Sequence, residues 1–174
     1  PTRRSSDLMP ITSFSVNPSL YTKLPFDTQK DFAPIALVAS APLLLVVNPQ
    51  LPVKNLSDLI KLAKEKPGSL NYGTSGVGTT SHLAAELFKY TAKLDIINVP
   101  YKGGGPMLND LLAGTIPMVF LNQDVVMPHV RSGKIKALGM FSSKRIPSAP
   151  EVPTLAEAGG PPLEASTWVL FLAP

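Results

Sequence analysis

The longest apolar stretch of the chain is "IALVASAPLLLVV" at residues 35–47, and it shows no alternation of apolar with polar positions. It predicts two strands, residues 35–38 and 43–47, separated by Ala-Ser-Ala-Pro and covered on both faces. Beyond it the period changes to that of a helix. Leu56, Leu59, Ile60 and Ala63 share one helical face, with Asn55 or Ser57 placed to cap it and Pro67-Gly68 to stop it. "SLNYG" predicts a short strand, and a helix follows from about Thr80, turning Leu83, Ala84, Leu87 and Phe88 inward. After the strand "IINVPY", the stretch "GGGPMLNDLLAG" predicts a helix with Pro106 at an early position and Gly114 past its end. "IPMVFL" and "KIKALGMF" read as strands flanking a short helix at residues 124–130. "TLAEAG" reads as one or two helical turns before a final strand in "STWVLFLAP". Residues 8–30 read as irregular, with turn signals at Pro18 and Pro25.

Strands alternating with helices over short connections predict an α/β fold built from parallel βαβ units. The 174 residues suffice for one domain with a substantial core, or for pieces of two. Nineteen prolines are spread singly between periodic segments, so the composition, 44% hydrophobic, remains that of a globular protein. A net charge of +4 from scattered lysines, with no basic run interleaved with aromatics, disfavours a nucleic-acid partner. Absence of cysteine excludes thiolate chemistry, disulfides and zinc-thiolate sites. No apolar run approaches the roughly 20 residues that span a bilayer. The opening "PTRRSSDL" is one reading frame of a common DNA-sequencing adapter, so residues 1–8 are expected to be non-native and to pack poorly. The natural N-terminus, with any signal peptide, is then expected upstream, and the chain is expected to be a fragment.

"NYGTSGVGTTSHLAAELF", residues 71–88, has the spacing of a phosphate-binding loop except that Thr79 stands where lysine is required. Glycines let backbone N–H groups converge, a helix N-terminus adds partial positive charge, and Ser75, Thr79, Thr80 and Ser81 add hydroxyls. Without the lysine or an acidic metal partner, a nucleotide triphosphate is disfavoured and a carboxylate fits better. The competing reading is a helix entry whose hydroxyls only cap. In "VPYKGGGP", Tyr101 is a candidate to lie against a ligand and Lys102 to pair with an acid, with a solvated loop lysine as the alternative. In "FLNQD", Asn122 or Gln123 either faces the same cleft or caps a helix. Catalysis finds little support. Ser75 misses nucleophile-elbow spacing because Val77 replaces the second glycine, His82 in the first turn of a helix reads as packed or capping, and His129 has no evident carboxylate partner. No residues are spaced for a metal, so no catalytic residue, metal or cofactor is predicted.

Together these motifs, with "NPSLYTKLPFDTQKDFAPIALVASAPLLLVVNP" and "GKIKALGMFSSKRIPSAPEVPTLAEAG", resemble the tripartite tricarboxylate transporter substrate-binding proteins, or Bug receptors, over nearly all of residues 16–174. The resemblance implies a type II periplasmic-binding-protein fold and a periplasmic, non-enzymatic, monomeric receptor. Such a receptor delivers a small carboxylate to membrane transporter subunits or, alternatively, presents it to a signalling kinase. It implies a partial first lobe and crossover strand at residues 9–46, a second lobe at 47–140 and a crossover back into the incomplete first lobe at 141–174. Carried over by motif, it puts Ser75, Gly76, Gly78, Thr79 and Thr80 around a ligand carboxylate, with Tyr101 and Lys102 bordering the pocket. It adds Thr12, Ser13 and Ser15 from "TSFSVNP" as first-lobe hydroxyls facing the cleft. Family members can place an acidic or amide residue directly after the phenylalanine of this segment to select amino-bearing ligands. Here Leu121 occupies that position, followed by Asn122, which disfavours an amino-acid ligand. The family's glycine-rich first-lobe loop is expected upstream of the present residues.

Overall fold

In the computed structural model, which describes residues 7–10, 12–28 and 30–173, the chain opens with β1 (Asp7–Pro10), a π-helical turn (Thr12–Val16) and the short α1 (Asn17–Leu20). It then enters β2 (Ala33–Val47), a continuous strand of 15 residues. There follow α2 (Leu56–Glu65), β3 (Asn71–Thr74), α3 (Thr80–Ala92), β4 (Ile97–Pro100) and α4 (Gly104–Ala113). The chain ends through β5 (Met118–Asn122), α5 (Gln123–Arg131), β6 (Lys136–Met140) and β7 (Ser166–Ala173). The irregular reading of residues 8–30 thus gives way to three short elements. Asp7 and Leu8, from the segment expected to pack poorly, pair with Leu172 and Phe171 of β7; residues 1–6 lie outside the described residues.

The two strands expected at residues 35–38 and 43–47 are one, running straight through Ser40-Ala41-Pro42. Proline is tolerated there because it stands where the strand changes partners. Up to Pro42, β2 pairs with β7; from Leu43 it pairs with β5 and, from Leu44, also with β6. Covering of both faces holds for the second half only. Leu43, Leu45 and Val47 enter one core and Leu44 and Val46 the other, whereas Ile35 and Leu37 are 56% and 62% exposed. The expected parallel βαβ arrangement holds for one part of the sheet. β3 runs parallel to β4 and β5, but β2 runs antiparallel to β5, β6 and β7.

Helices cover both faces of this mixed sheet. α2 contributes Leu56, Leu59 and Ala63 to one core, beside Ala84, Ala85 and Phe88 of α3. α4 contributes Met107 and Leu111 to the other, beside Val126 and Met127 of α5. Asn55 caps α2, its side chain accepting from the Asp58 N–H at 2.9 Å. In α3 the predicted face is right for Ala84 and Phe88, which point inward with Ala85, and wrong for Leu83 and Leu87, which are exposed. Small alanines let the helix approach the sheet, and Phe88 fills the space beyond them. Residues 154–159 form no helix. Thr154 and Glu157 make the reciprocal bonds of a capping box, at 2.8 and 3.1 Å, and the segment closes after one turn at Gly159, whose φ is +81°.

An aromatic cluster fills the first core. Phe120 lies edge-on to Tyr72 and Phe141, with ring centroids 5.6 and 5.7 Å away, and 6.1 Å from Phe88. All four residues are buried. Phe120→Ala is therefore expected to lower the unfolding free energy in urea by about 3–5 kcal/mol. Leu87→Ala on the exposed face of α3 is expected to change it by less than about 1 kcal/mol. Similar losses for both would refute the assigned helix face.

Candidate functional site

Parallel strands collect ligand contacts at their carboxyl ends, where the loops open into helices. Here the ends of β3 and β5 meet the N-termini of α3 and α4. Gly73 and Thr74 belong to β3 rather than to the loop, and the residues at 75–79 make the turn into α3. The backbone reverses at Gly76 and Gly78 with φ of +126° and +77°, a region that side chains with Cβ rarely adopt. At Gly78 there is a second constraint, because a Cβ would stand 2.3 Å from Leu20 Cδ1 of α1.

Three hydroxyls knit the turn together. Ser81 Oγ accepts from the Ser75 N–H at 2.9 Å and lies 2.7 Å from Ser75 Oγ and 2.9 Å from Thr79 Oγ1. Thr79 Oγ1 donates to the Gly76 carbonyl at 2.7 Å and caps α3, accepting from the His82 N–H at 3.4 Å. Each hydroxyl has one proton. The arrangement that gives each of these short contacts a proton runs from Ser75 to Ser81, from Ser81 to Thr79 and from Thr79 to Gly76. Ser81 is buried and committed inward, whereas Ser75 is half-buried at the head of this chain, where its proton can turn outward at the cost of its bond to Ser81. His82 Nδ1 accepts from the Gly78 N–H at 3.3 Å, the capping role rather than that of a base.

A cavity of about 290 Å³ opens over this turn, lined by Ser75, Thr79, Thr80 and Ser81 on one side and by Gly104, Leu121, Asn122, Val125 and Thr167 on the other. That is near the lower end of small-molecule pockets, about 300–1,000 Å³. No charged side chain lines it among the described residues. Its donors are neutral: hydroxyls, the Asn122 amide, and the first N–H groups of α3, those of Thr80 and Ser81, which meet no acceptor among the described residues. Such a set, with the partial positive charge of a helix N-terminus, suits an anion of low charge. A larger depression of about 670 Å³ lies at the far end of α3, around Glu86, Lys89 and Tyr90. Its carboxylate is already engaged, since Glu86 accepts from the Tyr72 hydroxyl and pairs with Lys89, so the smaller cavity is the better candidate.

Of the residues singled out in the sequence, Ser75, Thr79, Thr80 and Asn122 are brought together at the cavity. Gly76 and Gly78 shape the loop behind it without lining it. Tyr101 is directed elsewhere: its hydroxyl donates to Asp110 Oδ2 at 2.8 Å and its N–H to the Thr74 carbonyl at 2.8 Å, clamping β4 to α4 and β3. Burial, then this hydrogen bond and the Asp110 charge, push the Tyr101 hydroxyl up to about 12 from 10.0. Lys102 is exposed, lines no part of the cavity and makes no ion pair among the described residues. Ser15 is exposed and also lies outside the lining, and the side chains of Thr12 and Ser13 lie outside the described residues. Ser81 was legible as one hydroxyl of the loop, and Gly104 as part of the glycine run. Leu121 was legible only through the family resemblance, as the residue at the ligand-selecting position after Phe120, and Val125 gave no sign of its place. Thr167 had no local signal, since β7 brings it from 45 residues beyond Asn122.

A mixed sheet with helices on both faces and a cavity at its carboxyl ends is the lobe architecture of periplasmic binding proteins, and solved structures agree. The chain superposes on an R. palustris protein, Rpa4515, solved with adipate (TM-score 0.89, 37% identity, covering 96% of this chain and 56% of that one). It superposes on MatC from Rhodopseudomonas palustris, solved with malate (TM-score 0.85, 31% identity, 97% and 57% covered). The sequence pattern of the tripartite tricarboxylate transporter family receptors matches residues 7–174, and the chain belongs to that family. Among curated relatives, Protein BugT of Bordetella pertussis is 38% identical over 160 residues, covering 92% of this chain and 49% of its own length. A UPF0065 protein of Pseudomonas sp. strain P51, from a tcbD-tcbE intergenic region, is 36% identical over 164 residues, covering 94% and 49%. The chain thus spans about half the length of the curated relatives it matches. No described helix is long and apolar enough to cross a membrane.

Two measurements test this geometry. Thr79→Ala removes the α3 cap and the link from Ser81 to Gly76, and is expected to destabilise the chain by about 0.5–2 kcal/mol in urea, with Thr79→Ser close to the parent. No change in Thr79→Ala would mean that the cap contributes nothing. The raised Tyr101 hydroxyl stabilises the folded chain fully below pH 10, and this contribution is lost as pH rises through about 12. Tyrosinate absorbance is expected to show a late phase near pH 12 and above, shared with the buried Tyr72, that Tyr101→Phe reduces by one tyrosine; a late phase of unchanged amplitude would place the Tyr101 hydroxyl in solvent.

Proposed function

We propose that the protein is a periplasmic solute receptor, not an enzyme, whose cavity holds one carboxylate of a small organic acid. It delivers that acid to the membrane subunits of a tripartite tricarboxylate-type transporter. The observation that carries this reading is the convergence of neutral donors, from Ser75, Thr80, the Ser81 N–H and Asn122, on one cavity at a helix N-terminus, without a fixed cation. Each can donate to a carboxylate oxygen, and none supplies the charge that a polyphosphate demands. The adipate and malate held by the two Rhodopseudomonas relatives support the ligand class.

Residues 47–140 act in this reading as one lobe, with 9–46 and 141–174 contributing crossover strands to another. Receptors of this kind gain affinity by enclosing the ligand between lobes through hinge motion. With one lobe's donors alone, the 174-residue chain binds weakly, roughly millimolar at best. Titration of the isotope-labelled chain with adipate or malate is expected to shift the amide resonances of Ser75, Thr80, Ser81 and Asn122. Ser75→Ala is expected to weaken binding about three- to tenfold. Shifts confined to the far end of α3, or none at all, would overturn the assignment.

A further inference from the structure

Asn122 sits at the N-cap of α5 in extended geometry, with φ −63° and ψ 142°, yet its side chain makes no capping bond. Asparagine at that position ordinarily accepts a helix N–H, as Asn55 does at α2. Here the acceptor oxygen is diverted. Asn122 Oδ1 accepts from the Thr167 hydroxyl at 3.0 Å, a bond from β7 to the end of β5. Oδ1 is thereby held at Thr167, and the Nδ2 amide group, which meets no acceptor among the described residues, is left to the cavity that both residues line.

We infer that Thr167 is a positioning residue that fixes Asn122 as a hydrogen-bond donor, and that this pair makes the cavity select ligands with an acceptor rather than an ammonium at that end. The inference rests on the proposed carboxylate-binding role and deepens it. Two features favour orientation by Thr167 over chance. Forgoing an asparagine cap destabilises a helix, so a side chain held off its cap needs a better partner. In addition, Thr167 has no other side-chain bond among the described residues, so its single proton is available to Asn122. With Nδ2 outward, the lining offers amide and hydroxyl donors and no carboxylate that would hold an ammonium. An incoming amine would leave its own donors and the Asn122 amide unpaired, and such losses discriminate more strongly than a missing methylene.

The test compares adipate with 1,4-diaminobutane, which carries ammonium groups in place of both carboxylates, on the full 174-residue chain followed by amide resonances. The parent is expected to prefer adipate, with the Asn122 side-chain NH₂ resonance shifting on binding. Thr167→Val, which keeps the shape and removes the proton, is expected to weaken adipate binding about three- to tenfold and to abolish that NH₂ shift. Thr167→Ser is expected to restore both. Asn122→Asp, still accepting from Thr167 but presenting an oxygen to the cavity, is expected to reverse the preference toward 1,4-diaminobutane. If the parent shifts with neither ligand, the proposed carboxylate role fails. If it binds adipate but Thr167→Val binds equally well with the NH₂ shift intact, or Asn122→Asp keeps the parental preference, this inference fails while the receptor role stands. Thermal midpoints of the variants close to the parent's establish that a loss of binding is not a loss of fold, and Asn122→Asp keeps the question answerable if Thr167→Val unfolds.

Discussion

Everything in this fold is placed relative to β2. Its residues 43–47 are buried on both faces, paired in continuous register with β5 and, from Leu44, with β6 across one register shift between Leu45 and Val46, so the two cores hold their placement. A slip by one residue would exchange the set Leu43, Leu45 and Val47 with Leu44 and Val46, and would misfit both cores together. The earlier half of the same strand has no such cover and pairs with β7 alone, with register shifts along the way. One strand therefore joins a rigid packed region to a ribbon with exposed apolar side chains. The registers Leu43↔Asn122 and Ala41↔Thr167 put the two partners of the cavity's cross-strand bond two positions apart along it.

The cavity inherits its stiffness from that frame and its chemistry from one turn. Glycines at 76 and 78 supply the left-handed backbone, and Ser81, buried beneath the turn, ties Ser75 to Thr79. A ligand meeting such a turn finds its donors already held, so less ordering entropy is lost on binding. Neutral donors also avoid burying a lone cation when the site is empty, a cost that a lysine in place of Thr79 would carry. Tyr101 and Asp110 act at one remove, fixing the α4 entry that brings Gly104 to the wall.

What the sequence by itself determined was local. The period of Leu56, Leu59 and Ala63, the asparagine cap before them, and Gly114 after α4 each act within a few residues, so helix positions and loop chemistry were legible. The hydroxyl-rich glycine turn and its want of a cation were equally plain, as was the place of Asn122 at a strand end. Tertiary structure decided the rest, because the deciding partner lies far along the chain. Strand direction around β2 depends on which strands flank it, which periodicity does not encode. The face of α3 was set by the space left beside Phe120 and Phe141, since the rows Leu83–Leu87 and Ala84–Phe88 are both apolar. Tyr101 reaches Asp110 because α4 folds back over β4. Thr167 reached Asn122 only because an antiparallel ribbon returns the chain across 45 residues, and a hydrogen bond fixed by such a return leaves no pattern in the residues on either side of it.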